Sequence, residues 1–397
     1  MRLAPATAAV LSAALWLPAA AAAADLTIYS SLPLSGDSRP QSEDVIRAEQ
    51  LALEQSGGRA GAFPIRFVSL NDATRRAGTW TPLKTVANAR RAAGDPTTIA
   101  YLGEFNSGAT AVSLPVLSEA GILQVSPSNT YVGLTRSEAA EPGEPGKYYP
   151  FNVRTYGRLI PPDHLQAAAV AALLQAEGVK RVFLVDDREL YGSGLADMVR
   201  ARLAARGVAV AGRGWIRRGA RNAGSIARAI RRSKADAMFF GGVTQTGAPR
   251  LWRAVHRRNP RLKLFGGDGV AETPFTRRLG RGAARRTLLT NPLLAPSAYP
   301  PAAQGFYQAF RDRFRKTPEP YAIYGYEAMN VVLDAIRRGG NTRQGVTDAF
   351  RATRDRDSVL GRYSIDENGD TTLSTYAVLK VSRRGRLAYV RTIDSSR

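Results

Sequence analysis

The 397-residue sequence has no cysteine and only two histidines. Without cysteine, the chain has no disulfide, thiolate zinc site, iron–sulfur cluster or cysteine nucleophile, and no cysteine to carry a lipid anchor. His164 and His256 lie far apart in the sequence, so each would have to serve alone in a metal site or a catalytic triad. We therefore expect no metal, no cofactor and no catalytic residue.

Motifs of nucleophilic catalysis and phosphate binding are missing as well. The sequence has no Gly-x-Ser-x-Gly elbow, no Gly-x-x-x-x-Gly-Lys loop, and no Gly-x-Gly-x-x-Gly after a predicted strand. An enzyme on a doubly wound fold remains a remote alternative, because no nucleophile–base pair can be recognised. We expect a protein that is not an enzyme.

Long apolar runs are absent after the N-terminus, where one short run occurs. Arg2 precedes an apolar stretch at residues 8–17, and small residues then extend to Ala24. This order is typical of a secretory signal peptide cleaved after Ala24, with a retained N-terminal anchor as the alternative. No later segment has about 20 apolar residues in succession. We expect residues 1–24 to be a signal peptide and the mature protein to be periplasmic or secreted, and not a lipoprotein.

Acidic residues are outnumbered by basic ones, 33 against 56, which gives a formal net charge of +23. Such a charge suits either a protein that binds polyanions or nucleic acids, or a solvated basic surface. The arginines are scattered, no five like charges occur in succession, and no zinc-finger, basic-zipper or RNA-recognition signature is present. These features favour the solvated surface, and we expect no nucleic-acid partner.

Short apolar strands alternate with helices along most of the chain, a pattern typical of parallel sheets covered by helices on both faces. The series is too long for one sheet, so we expect an α/β protein with two doubly wound, Rossmann-like lobes. The predicted strands are 26–29, 64–70, 98–102, 122–125, 149–153, 181–185, 208–210, 237–240, 263–265, 362–365, 376–379 and 387–390, with an Asn368-Gly369 hairpin turn. The predicted helices are 41–55, 82–93, 109–119, 165–175, 195–205, 225–232, 249–257, 304–315, 324–338 and 345–351.

Hydroxyl-rich loops follow two of the predicted strands, at residues 103–110 and 124–130. Open α/β sheets bind ligands at the carboxyl ends of their strands. Ser107 can cap the helix that follows the first loop, and free N–H groups there can hold an anion. Ordinary capping would explain Ser107 alone, but two such loops one strand apart favour a binding site.

Five motifs follow one another in an order that resembles the periplasmic leucine/isoleucine/valine-binding protein family, the type I substrate-binding proteins of ABC transporters. They are Leu32–Gly36, Gly121–Pro127, Asp186–Gly194, Gly266–Gly269 and Asp366–Asp370. The resemblance implies the type I periplasmic binding protein fold, in which a three-strand hinge joins two lobes that enclose the ligand. The lobes implied are 25–152 with 291–356, and 153–290 with 357–397. It also implies a monomer that serves a membrane ABC permease.

The resemblance implies a role for each of seven residues. Ser107 and Thr130 correspond to hydroxyls that bind the α-carboxylate of an amino acid. The backbone carbonyl of Ser128 corresponds to an acceptor for the ligand ammonium group, and Asn106 lies beside it. Asp268 corresponds to the carboxylate that neutralises the ammonium group. A zwitterion removed from water needs both charges compensated, so this arrangement is physically sound.

The remaining two of the seven, Tyr191 and Tyr321, correspond to rings at the side-chain end of the pocket. Core packing of these rings and a simple turn role for Asp268 are the alternatives. The sequence departs from the family pattern at Gln41 and Val243, where leucine-type members often carry aromatic residues. We expect a branched-chain-type amino acid, or a related polar solute such as an amide or a urea-like compound if Gln41, Thr244 or Gln245 faces it.

Overall fold

The computed structural model describes residues 25–138, 140–219, 221–294, 296–382 and 384–395. The predicted signal peptide, residues 1–24, lies outside the described residues. The two lobes predicted from the alternating pattern are present. Each is built on its own sheet, and the chain passes between them three times, after residues 160, 291 and 365.

The first lobe is formed by the N-terminal part of the chain. Its sheet has the strand order β2-β3-β1-β6-β7-β8, in which all strands are parallel except the short β2. β1 and β6 are buried along their whole lengths, as the apolar sequences of strands covered on both faces require. The elements are β1 (Leu26–Leu32), α1 (Arg39–Gln55), β2 (Arg59–Ala60), β3 (Phe63–Asn71), β4 (Ala73–Thr74), β5 (Thr79–Trp80), α2 (Pro82–Gly94), β6 (Thr98–Gly103), α3 (Ser107–Glu119), β7 (Leu123–Ser126) and β8 (Tyr156–Arg158).

The second lobe is formed by the middle of the chain. Its sheet has the order β10-β9-β11-β12-β13-β16-β17, with the first five strands parallel and the last two added antiparallel from the C-terminus. Two apolar clusters cover the two faces of this sheet. The elements are α4 (Asp163–Ala176), β9 (Arg181–Asp186), α5 (Leu190–Leu203), β10 (Ala209–Trp215), α6 (Ala223–Arg232), β11 (Ala237–Gly241), α7 (Ala248–Arg258), β12 (Lys263–Gly266), α8 (Thr273–Thr276), α9 (Arg281–Ala284) and β13 (Thr287–Asn291).

The last part of the chain returns to the first lobe and then completes the second. The long helix α11 packs against α1, and its apolar residues join the core beneath β1, β6 and β7. The elements are α10 (Pro301–Phe314), α11 (Ala322–Gly339), α12 (Arg343–Arg351), β14 (Arg356–Ser358), β15 (Gly361–Tyr363), β16 (Thr375–Val381) and β17 (Leu387–Asp394).

The crossings lie a few residues later than the implied lobe boundaries at 152 and 356. β8 belongs to the first sheet although it follows residue 152, and residues 359–365 contribute buried side chains to the first core. The predicted strand 149–153 does not form. The Tyr149 hydroxyl instead donates to the carbonyl of Leu134 at 2.8 Å, and its ring packs under the Arg154 guanidinium at 4.6 Å.

Candidate ligand-binding site

A small cavity lies where the two lobes meet, at the carboxyl ends of strands from both sheets. It encloses about 30 Å³, which is room for about one water molecule. A larger ligand must therefore separate the walls before it can enter. The structure places all seven residues implied by the resemblance in these walls. The complete lining is Gln41, Phe105, Asn106, Ser107, Ser128, Thr130, Tyr191, Val243, Gln245, Asp268, Gly269, Glu272 and Tyr321.

The first-lobe wall is made by the loops after β6 and β7, which hold each other through hydrogen bonds. The Ser128 hydroxyl donates to the carbonyl of Phe105 at 3.0 Å, and the Ser107 hydroxyl accepts from the N–H of Tyr131 at 3.4 Å. The alternative that Ser107 serves only as a helix cap is wrong. Asn106 is the N-cap residue, no side chain caps this helix, and Ser107 is its first residue.

This wall suits a negatively charged group. The first N–H groups of α3 have no partner within the helix and carry the positive end of its dipole. The hydroxyls of Ser107 and Thr130 lie beside them and are almost completely buried. Helix N–H groups and hydroxyls at one point are a common arrangement for holding a carboxylate or a phosphate.

The second-lobe wall carries a buried carboxylate. Asp268 follows β12 and is 3% exposed, and the Tyr191 hydroxyl donates to its Oδ1 at 2.7 Å. The Tyr321 hydroxyl, which comes from the first lobe at the start of α11, donates to Oδ2. Both phenols thus contact the acidic end of the cavity, where the resemblance had implied only its side-chain end. The Asp268–Tyr321 bond also joins the two lobes directly.

Burial raises the pKa of Asp268, against hydrogen bonds from Tyr321 and Tyr191 that lower it. Burial raises the pKa of both tyrosines well above the usual value, so that they remain hydrogen-bond donors. Nearby, Asp163 begins α4 with both carboxyl oxygens buried and without a hydrogen-bond partner in the described structure. Burial and then the charge of Asp268 raise its pKa. Because the described residues provide no ion pair for Asp268, a cationic ligand group is the natural compensation.

Polar and aromatic groups complete the remaining side of the cavity. The Phe105 ring meets the Tyr321 ring edge-on, with 5.7 Å between centroids. Gln41 and Gln245 both donate to the carboxyl group of Glu272. Both glutamines were singled out from the sequence. Phe105 and Gly269 lie within segments identified there, the loop 103–110 and the motif Gly266–Gly269, but neither was assigned a role, and Glu272 was missed. In the sequence, Glu272 is distinguished only by its position four residues after Asp268. That spacing does not predict a residue of a binding site.

A larger groove of about 1110 Å³ lies elsewhere between the lobes, bordered by residues such as Pro40, Tyr307, Arg277 and Arg386. None of the seven predicted residues lines it. It offers no buried carboxylate opposed by hydroxyls and a helix N-terminus. We therefore place the candidate ligand site in the smaller cavity.

A sequence profile of the periplasmic binding protein family matches residues 6–386. The chain belongs to this family. Among curated periplasmic binding proteins, the chain is 27% identical over 360 residues to the Leu/Ile/Val-binding protein BraC3 of Rhizobium johnstonii, which covers 90% of this chain and 92% of the relative. It is 26% identical to the amino acid binding protein of Pseudomonas aeruginosa, with 92% of each chain covered.

Solved structures show the same fold. The leucine binding protein LivK of Thermotoga maritima superposes with a TM-score of 0.79 at 23% identity, over 93% of this chain and 99% of that one. The predicted type I periplasmic binding protein fold with two lobes is thereby confirmed. No helix among the described residues has the length and apolar character needed to cross a membrane. Within the same residues, no cluster of His, Asp and Glu suits a metal ion.

Proposed function

We propose that this periplasmic binding protein captures an amino acid between its two lobes and delivers it to a membrane ABC permease. It would be exported by means of residues 1–24, act as a monomer in the periplasm or outside the cell, and catalyse no reaction. The observation that carries the proposal is the opposition of two charged ends in one buried cavity. Hydroxyls and the α3 N-terminus lie on one lobe, and Asp268 lies on the other.

The chemistry of a zwitterion matches these two ends. Its carboxylate would replace water at Ser107, Thr130 and the α3 N–H groups, and its ammonium group would pair with Asp268. Neither charge would then be buried without a partner, which otherwise costs several kcal/mol. The names of the curated relatives, which refer to Leu/Ile/Val and to amino acids, support the same ligand class.

The division of the site between lobes supports a closing motion. A ligand held by both walls binds the closed state better than an open one, and it shifts the population toward closure by that difference in affinity. The bond from Tyr321 to Asp268 would position the carboxylate in the closed state, since it joins an α11 residue to the second lobe. A permease could then distinguish loaded from empty protein by shape.

The test is Asp268→Asn, assayed by calorimetry against the amino acid that most raises the melting temperature of the wild-type protein. We expect at least a 100-fold loss of affinity, because breaking a buried ion pair costs about 3–5 kcal/mol. Asp197→Asn is the matched control, since Asp197 is 44% exposed and pairs with Arg213 on the surface. Unchanged affinity in Asp268→Asn, or the absence of any amino acid that binds, would reject the proposal.

The net charge of +23 keeps one alternative open, a basic protein that binds polyanions. Heparin would then bind with an affinity that falls steeply as salt is added, because counterions are released. Asp268→Asn would leave that affinity unchanged. The two functions are therefore separated by the same variant.

A further inference from the structure

Three side chains form a polar cluster at one side of the cavity, namely Gln41, Gln245 and Glu272, here called the amide–acid cluster. Gln41 comes from α1 of the first lobe, and the other two come from loops of the second. Gln41 and Glu272 are each 2% exposed. All three line the same cavity as Asp268. A buried acid with two amides is unsuited to a hydrocarbon side chain, which leaves polar groups without partners.

The hydrogen bonds inside the amide–acid cluster are long. Gln41 Nε2 lies 3.4 Å from Glu272 Oε2, and Gln245 Nε2 lies 3.3 Å from Glu272 Oε1. The usual N···O distance is about 2.9–3.0 Å. Gln245 Nε2 also donates to the Ser38 hydroxyl across the lobes, so its contact with Glu272 is shared. When its carboxyl group is ionised, Glu272 therefore retains unused capacity as an acceptor.

The amide oxygens add to this surplus of acceptors. Because both Nε2 groups turn toward the carboxyl group, both carbonyl oxygens turn away from it. Gln41 Oε1 and Gln245 Oε1 are buried and have no hydrogen-bond partner within the described structure. Leaving a buried acceptor unpaired costs about 1–3 kcal/mol. With Glu272 ionised, the cluster thus has more buried acceptors than N–H donors to satisfy them.

On the basis of the proposed function, we infer that the ligand is an α-amino acid whose side chain ends in N–H donors, an amide or a cationic nitrogen, and is not a branched hydrocarbon. The carboxylate and ammonium groups would occupy the ends described above, and the donors would reach the amide–acid cluster. A ligand of this class supplies what Gln41, Gln245 and Glu272 lack. A leucine side chain would leave the same acceptors buried and unpaired.

The protonation of Glu272 is expected to change when such a ligand binds. Burial raises the pKa of its carboxyl group to about 8, against a hydrogen bond from Thr244 that lowers it, so the group is largely protonated at neutral pH while the site is empty. An N–H donor would favour the ionised form and lower this pKa, and a cationic donor would do so most. Sites built to hydrogen-bond a substrate strongly reject analogues that lack the group, since their polar atoms then stay unpaired.

The experiment screens the twenty standard amino acids by thermal shift on the full mature chain and measures the affinities of glutamine, arginine, leucine and norleucine by calorimetry. We expect glutamine or arginine to bind at least 10-fold more tightly than leucine or norleucine. The comparison of glutamine with arginine distinguishes an amide from a cation. Leucine or norleucine binding as tightly as both polar ligands would overturn the inference and leave the proposed function standing. If none of the twenty amino acids binds, both this inference and the proposed function are rejected.

A variant tests the residues themselves. In the double variant Gln41→Leu, Glu272→Leu, we compare the affinity for the tighter-binding of glutamine and arginine with the affinity for leucine. We expect the ratio of the first to the second to fall at least 10-fold. Glu43→Leu, on the exposed face of α1 next to Gln41, is the control and should leave the ratio unchanged. If the double variant does not fold, Glu272→Gln keeps the shape and should weaken arginine more than norleucine. Equal ratios in a folded variant and the wild-type protein would contradict the inference.

Discussion

At the scale of single residues, a buried ion pair outside the cavity joins Arg158 to Asp370. Both side chains are almost fully buried, and Arg158 Nε lies 2.7 Å from Asp370 Oδ1. Arg136 Nε contacts the other carboxylate oxygen at 2.7 Å. Arg158 also donates to the carbonyl of Tyr131 at 2.7 Å. Arg158, held by Asp370, therefore ties β8 to the loop that carries Ser128 and Thr130.

We predict that Asp370→Asn lowers the free energy of unfolding by about 3–5 kcal/mol, because a buried guanidinium group loses its counter-charge. Urea denaturation followed by circular dichroism measures this change. Asp357→Asn is the control. Asp357 pairs with Arg362 on the open surface, and we expect no measurable change there. Equal effects in the two variants would refute the assigned importance of the buried pair.

The same pair predicts a pH dependence. Burial raises the pKa of Asp370, but the charges of Arg158 and Arg136 and their hydrogen bonds lower it further, below its ordinary value. A carboxyl group with a lowered pKa in the folded state stabilises the fold above its unfolded pKa of about 4. That stabilisation is lost as the pH falls through the folded pKa. The stability difference between wild-type protein and Asp370→Asn should therefore shrink below about pH 4.

Individual site residues could be predicted only where a motif identifies them. The loops after β6 and β7 follow strands that are recognisable by their apolar sequences, so Ser107 and Thr130 could be placed at a sheet edge. Phe105 lies in the loop after β6 that the sequence identifies, but no signal marks its ring as part of the cavity wall, and Glu272 carries no motif. Their positions depend on how one lobe meets the other, which no local pattern specifies.

At the scale of elements, the strand–helix alternation was predictable and its exceptions have local causes. β13 was missed because its sequence, Thr-Leu-Leu-Thr-Asn, follows an arginine pair and is too short to show a period. The segment 149–153 was predicted as a strand of the alternating series. Tyr148 and Tyr149 are instead buried with Tyr131 in a separate aromatic cluster. Packing of large rings overrode the local preference for an extended chain.

The turn at Asn368-Gly369 packs against strand β8. Gly369 has φ of +90°, and its carbonyl accepts from the N–H of Arg158 at 3.0 Å. A β-carbon at this position would lie 2.3 Å from the carbonyl oxygen of Tyr156. The turn thus presses against β8 and presents Asp370 to Arg158, so a larger residue would disturb both.

We predict that Gly369→Ala destabilises the protein by about 2–5 kcal/mol, of which the positive φ contributes about 1–3 and the backbone contact the rest. Gly361→Ala separates the two effects. Gly361 also has a positive φ, +102°, but nothing lies within 4 Å of its added β-carbon. We expect a smaller loss there, about 1–3 kcal/mol. Chemical denaturation measures both, and equal losses would show that the approach to Tyr156 has no energetic consequence.

At the scale of the whole molecule, some of the arginines hold elements of the fold together. Arg343 donates to the carbonyls of Thr98, Ala120 and Asp95 at 2.9–3.2 Å and so fastens α12 to the edge of the first lobe. Arg356 pairs with the buried Glu327 at 2.7 Å. Such roles reduce the share of the positive charge that a polyanion could contact. Composition alone could not reveal this, because it does not show which arginines have partners.

The two lobes are also joined at their surface by an ion pair between Arg278 and Asp37. The guanidinium group contacts both carboxylate oxygens, at 2.6 and 2.8 Å, and the side chains are 50% and 29% exposed. Asp37 precedes α1 in the first lobe, whereas Arg278 follows α8 in the second. The bond exists only while the lobes are in contact, so it contributes to closure and not to the stability of either lobe.

We predict that Arg278→Gln weakens amino-acid binding by about 1.4-fold to fivefold, because an exposed pair of this kind contributes about 0.2–1 kcal/mol. The loss should appear mainly as faster dissociation in stopped-flow kinetics, since the pair stabilises the closed state after the ligand has bound. It should vanish at high salt, where exposed charges are screened. Arg313→Gln breaks a comparably exposed pair with Glu54 within the first lobe and should not change the dissociation rate. An equal effect of both variants would mean that the Arg278–Asp37 bond has no part in holding the lobes together.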